Sequence, residues 1–174
     1  MRGRRFGAVV AGLGLVLSLG LTACGDNGSD EAGLRDQIRT LQAEKKANED
    51  AVTAAKAFVA KVTTYSYKAG EHDFGWVEEL QNEKVRSQFE ERVDDLKKAI
   101  ETSKTSAKGQ VVEAMGRVVD ETQVEVLAFV DQAITDPSGE VSVEESSITL
   151  TMKLDEDSGD WQVDTLTFLN QVDS

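Results

Sequence analysis

Few residues in this chain could do chemistry, and they are of four kinds. The single histidine, His72, sits in Glu71-His72-Asp73, where a carboxylate could steady a general base. Its other reading is an exposed loop histidine ahead of a helix cap, since adjacent residues rarely steer one another's side chains. Tyr65 and Tyr67 could offer hydroxyl donors to a pocket walled by Trp76 and Trp161, or serve as core and rim aromatics. Asp155, Glu156, Asp157 and Asp160 place several oxygen ligands close together. They lack the alternating ligands and closing Glu of a calcium loop, so a solvated hairpin turn fits them better and no metal is implied. The last candidate is the lone thiol, Cys24, which has no second cysteine with which to form a disulfide within the chain.

The surroundings of Cys24 give it a role. Arg2, Arg4 and Arg5 precede an apolar run from Phe6 to Leu21, and small residues lead up to the cysteine. That is the pattern of an export signal. The run is about 16 residues, short of the ~20 that a spanning helix needs, and glycines at 7, 12, 14 and 20 weaken it as a helix. Leu21-Thr22-Ala23-Cys24 resembles the lipobox of bacterial lipoproteins. The resemblance implies cleavage between Ala23 and Cys24 and acylation of the Cys24 sulfur. The domain is then expected to be lipid-anchored on the extracytoplasmic face of the cell membrane. Each buried methylene contributes about 0.8 kcal/mol, so two or three acyl chains hold a protein durably where one does not.

Charge narrows the partners. The chain carries 19 basic and 32 acidic residues. Loss of the leader removes three arginines and no acid, leaving 16 basic against 32 acidic residues, a net charge near -16. Nucleic-acid binding needs basic surface to displace counterions, so that class is excluded. Direct adsorption to anionic headgroups is disfavoured for the same reason. No P-loop, dinucleotide glycine fingerprint, zinc cluster or serine nucleophile elbow occurs, and no cofactor is implied.

The elements that would position these residues follow from periodicity. Residues 24–33 are glycine-rich and polar and read as a flexible linker. From Leu34 the steps through Ile38, Leu41, Lys45, Asn48, Val52, Ala55, Val59 and Val62 are helical. Residues 34–47 read as a stalk, either a solvated spacer or a short coiled coil; Lys45 and Asn48 in the seam favour the spacer. Ala54, Ala55, Phe58, Val59 and Val62 form the apolar face of the segment that packs. Asp73 is placed to cap a short helix over 74–80, and Asn82 a longer one over 83–102 with Val85, Phe89, Val93, Leu96 and Ile100 on one face.

The period then changes to two. Strands are expected over 111–119, 122–132, 141–154 and 161–169. Short turns separate them, the strongest being Thr135-Asp136-Pro137-Ser138-Gly139. In the second strand Val124, Val126, Ala128 and Val130 share one face while Leu127 and Phe129 lie on the other. Three N-terminal helices on a curved four-stranded antiparallel sheet make a cone-like α+β domain over 48–172.

Several local patterns resemble the Mce-associated (mammalian cell entry-associated) membrane proteins of actinobacteria. These are Thr64-Tyr65-Ser66-Tyr67, then Phe89-Glu90 in the long helix, and Gly109-Gln110-Val111-Val112-Glu113-Ala114. The series continues with Val124-Glu125-Val126-Leu127-Ala128-Phe129-Val130-Asp131-Gln132 and Gly159-Asp160-Trp161-Gln162-Val163-Asp164-Thr165-Leu166. The resemblance spans about Asn48 to Asn170. It implies the nuclear transport factor 2-like fold and a non-catalytic accessory or stabilising role beside Mce lipid importers. Members of that family usually start with an uncut transmembrane helix; here a lipobox stands in its place. The expected function is therefore a non-catalytic envelope lipoprotein with protein partners in a transport complex, docked through the exposed sheet face or the stalk. The alternatives are a module holding a lipid or small hydrophobe in the cone and, third, an enzyme on the same scaffold.

Overall fold

The computed structural model describes residues 28–68 and 74–169, the first three by backbone alone. Cys24, Ala23, His72 and Asp73 lie outside the described residues. Helix α1 (Gly28–Val62) is followed by a single 3-10 turn (Gly75–Val77), helix α2 (Glu83–Ser103), and strands β1 (Ser106–Asp120), β2 (Gln123–Thr135), β3 (Val141–Leu154) and β4 (Trp161–Phe168). The strands pair antiparallel in chain order, β1-β2-β3-β4.

Two expectations need correcting. There are two α-helices among the described residues, not three: the segment over 74–80 makes only the 3-10 turn. Phe74 stands at the cap of that turn and makes no side-chain cap bond, and a turn this short gives an α-helix too few bonds to propagate. The linker is also shorter than expected, because α1 already begins at Gly28.

α1 has two halves with different physics. Its first half is exposed, and Leu34, Ile38 and Leu41 meet solvent. It is laced by exposed pairs at helical spacing, Glu31–Arg35, Asp36–Arg39, Lys45–Glu49 and Lys46–Asp50, each contributing a few tenths of a kcal/mol. At about 1.5 Å per residue, positions 28 to 47 extend roughly 30 Å from the domain. The second half buries Ala51, Ala55, Phe58 and Val59 against the sheet. Thr63 ends the helix: its hydroxyl donates to the Val59 carbonyl at 2.7 Å, and its own carbonyl accepts from Gln132 Nε2 at 2.7 Å.

α2 starts at the expected cap, with the Asn82 side chain accepting from the amides of Lys84 and Val85 at 3.1 and 3.2 Å. Only Val85, Phe89 and Val93 of its apolar face reach the core, and Leu96 stays exposed. The helix closes on Lys104 in the left-handed region, φ +53°.

The hairpin turns are held by carboxylates. Asp120 accepts from the amide and hydroxyl of Thr122, at 2.8 and 2.9 Å, and these bonds hold its carboxyl below the usual range. Asp136 is likewise lowered, chiefly by the Ser138 hydroxyl at 2.7 Å and next by the Glu140 amide at 2.9 Å. Asp155 accepts from the amides of Asp157 and Ser158 at 2.9 and 3.1 Å and from Gln162 Nε2 at 3.0 Å, so this acid is engaged in its turn. Gly159 supplies the positive φ of +77° that the turn needs.

The core lies between α1 and the inner face of the sheet, made of Val124, Val126, Ala128, Val130, Ile148, Leu150, Met152, Val163 and Leu166. α1 rests on the edge strand β1, whose inner face presents Ala107, Gly109, Ala114 and Gly116. A Cβ on Gly109 would lie 1.8 Å from Thr63 Oγ1 and 2.5 Å from Thr63 Cβ. One on Gly116 would lie 2.0 Å from Asn48 Oδ1 and 2.8 Å from Val52 Cγ2. Both glycines are therefore there for space. Overpacking of this kind costs about 1–3 kcal/mol. Chemical denaturation should show Gly109→Ala losing an amount in that range, since Thr63 Cβ cannot move aside. Gly116→Ala should lose less, because the Asn48 amide can swing, and adding Asn48→Ala should restore part of the loss. Two neutral glycine variants would contradict this packing.

Candidate functional site

The four aromatic residues considered as pocket walls are not brought together. Trp76 is 6 % exposed and packs edge-on to Phe58 and Phe89, with ring centroids 5.9 and 5.2 Å away. It sits in the core where α1 and α2 converge. Tyr65 pairs through its backbone with Ala107 at the start of β1, and Tyr67 is exposed beside it. Trp161 is half-buried and pairs with Leu154 at the far end of β3. Ala107 pairs with Ile134, which pairs with Ser142, so about twelve strand residues separate the two locations, roughly 40 Å. The space between α1 and the sheet holds Phe58, Val59, Trp76, Leu80, Ile148 and Met152.

The surface with distinctive features is the other side of the sheet. Antiparallel registers place its outward side chains in rows running across the strands. One row is Arg117, Glu125, Thr151, Thr165; the next is Met115, Leu127, Thr149, Thr167; the next is Glu113, Phe129, Ser147. Beyond these come Gln110, Asp131, Glu145 and then Lys108, Ala133, Val143. No described helix covers this face, because α1, the 3-10 turn and α2 all join the core on the inner side.

A shallow concavity of about 590 Å³ opens in this face. Met115 and Leu127 form its apolar side, and Thr149, Thr151 and Thr165 form its polar floor. The Thr165 hydroxyl donates to Thr151 Oγ1 at 2.8 Å, so those two hydroxyls are engaged. Arg117 and Glu125 close one end as a cross-strand ion pair. Met115 is 51 % exposed, Phe129 38 % and Val143 64 %. Met115, Leu127 and Phe129 are neighbours in successive rows, and Val143 stands two rows beyond Phe129.

Each edge of the sheet is bridged at one point. Tyr65 exchanges backbone bonds with Ala107 at one edge, at 2.9 and 2.8 Å. At the other, Leu80 bridges Val163, with the Gln81 amide donating to the Val163 carbonyl at 2.8 Å. The remaining length of β1 carries bulges at Val111/Glu113 and Val118/Asp120, which discourage strand addition.

Periodicity had one signal for this face, the apolar pair Leu127 and Phe129 opposite the core side of β2. Met115 was not legible, because the bulge at Val112 shifts the alternation in β1. None of the described helices is long and apolar enough to cross a membrane.

Comparison with known proteins bears on the fold. No family model matches the chain, and no curated protein does. Among solved structures, it is similar to an IcmL-like type IV secretion system protein from Legionella pneumophila. Identity is 10 %, the match covers 68 % of this chain and 88 % of that one, and the TM-score is 0.56. It also matches CagV, a VirB8 homologue of the type IV secretion system of Helicobacter pylori, at 15 % identity over 67 % of this chain and 94 % of that one, TM-score 0.49. The fold argument rests on the first. The architecture is the nuclear transport factor 2-like one, with an open four-stranded sheet and helices on one face.

The division between core and open face predicts opposite responses. Trp76→Ala should lower unfolding free energy by about 3–5 kcal/mol. Phe129→Ser should stay within about 0.5 kcal/mol of the parent. Equal losses in denaturant unfolding would mean that the outer face is part of the core.

Proposed function

We propose that this chain is an exported, lipid-anchored envelope protein that acts without catalysis, as an accessory or stabilising subunit of a transport complex. The observation that carries the reading is the outer sheet face, which groups Met115, Leu127 and Phe129 and which no described helix covers, set against a core filled by its own side chains. A surface of this kind suits a protein partner.

Two further features support the reading. The export signal ending at Ala23 and the lone Cys24 supply an anchor. The solvated half of α1 then acts as a spacer, setting the domain roughly 30 Å from the anchored end. The solved structure of like fold is named as a type IV secretion system protein. Within this class, the local patterns between Asn48 and Asn170 favour an Mce-type lipid importer as the host complex. The strong acidity places the domain away from anionic headgroups, so membrane attachment falls to the lipid on Cys24.

Intact mass of the protein extracted from membranes tests the anchor. The expected product lacks residues 1–23 and carries acyl chains, and Cys24→Ala leaves the leader uncut or releases the protein. A full-length product without lipid would contradict the lipid anchor and leave the leader as a transmembrane anchor.

A further inference from the structure

The outer face specifies the chemistry of its occupant, an inference that rests on the docking reading above. Its central row, Met115 with Leu127, and Phe129 in the next row, are apolar. One step further along the strands, Asp131 of β2 stands directly opposite Glu145 of β3. Another step brings Ala133 opposite Val143, apolar again. Successive rows on one face are two residues apart, about 7 Å.

The acidic row holds no cation of its own; Lys108 stands one row away, opposite Ala133, and forms no ion pair with it among the described residues, leaving two facing carboxylates against one lysine. Like charges directly opposite on paired strands destabilise a sheet. Asp131, Glu145 and the nearby Glu113 form no ion pair among the described residues, whereas Arg117 on the same face is already paired with Glu125. A cation placed over these two carboxylates, between exposed Phe129 and exposed Val143, would relieve their mutual repulsion.

We propose that the occupant is an extended protein segment of alternating pattern, apolar–x–basic–x–apolar, lying along β2. A Lys or Arg sits over Asp131 and Glu145, with an apolar side chain on the Phe129–Met115 patch and another on Val143. An extended chain repeats its side chains on one face every two residues, the same spacing as the rows beneath it. Charge decides against the other occupants. A second copy would bring acidic surface against acidic surface, and an anionic bilayer would be repelled by the same carboxylates.

The test uses the full chain in its own cells, with the photo-crosslinker p-benzoylphenylalanine in place of Phe129 or of Val143. Mass spectrometry then reads the captured peptide. The expected product is a protein segment with Lys or Arg within two residues of the attachment point. The charge-reversed pair Asp131→Lys with Glu145→Lys should cut the yield at least about tenfold. Both side chains are exposed, and an unchanged thermal melt of the purified pair variant shows that the loss is not unfolding. A captured segment without basic residues, a second copy of this chain, a lipid adduct, or an undiminished yield in the pair variant each overturns this inference while leaving docking intact. No adduct at either position overturns the docking reading itself.

Discussion

The structure depends on how closely α1 approaches β1. At Gly109 and Gly116 the strand has no side chain toward the helix, and Thr63, Asn48 and Val52 fill that space. With Val111 and Ala114 between them, these two glycines let a helix lie on an edge strand at a distance that a side chain at either position would forbid. The second half of α1 then covers the inner face of the sheet, with Phe58 reaching Trp76 and Trp76 reaching Phe89. The approach carries a local penalty, since Asn48 Oδ1 is buried there without a hydrogen-bond partner. Because both described helices are committed to one side, no described helix covers the other side of the sheet.

Much of this was legible from the sequence, for physical reasons that differ by element. The Asn82 cap and the stepping of Val85, Phe89 and Val93 mark α2 because capping and amphipathicity are local. Alternation along Val124, Val126, Ala128 and Val130 marks β2 for the same reason, and the Asp136-Pro137-Ser138-Gly139 turn fixes its end. The segment after Asp73 reads as a helix because Asp73 is placed to cap one. There Trp76 packs into the aromatic cluster while the Leu80 backbone bridges Val163 of β4, so tertiary contacts compete with helix propagation. No local pattern records that competition.

The candidate site was less legible. Hydrophobic residues on the outer face register in the sequence only as departures from alternation. Leu127 and Phe129 were visible as such, but their meeting with Met115 depends on a bulge and on the β1–β2 register. The pairing of Asp131 with Glu145 likewise depends on a register set by a hairpin. Tyr65, Tyr67, Trp76 and Trp161 drew attention by residue type, yet type says nothing about which end of a sheet a residue occupies. The long solvated half of α1 and the open face together describe a domain with a projecting helix and one sheet surface that no described helix covers.

The availability of that surface is the central claim, and oxidative footprinting measures it directly. Hydroxyl radicals applied to the purified protein and to intact envelopes would report on Met115 and Phe129, with exposed Leu96 on α2 as the internal reference. The account predicts strong labelling of Met115 and Phe129 in the purified protein and their protection in the envelope, with Leu96 labelled alike in both. Equal labelling of Met115 and Phe129 in the two samples would contradict it, as would their protection in the purified protein.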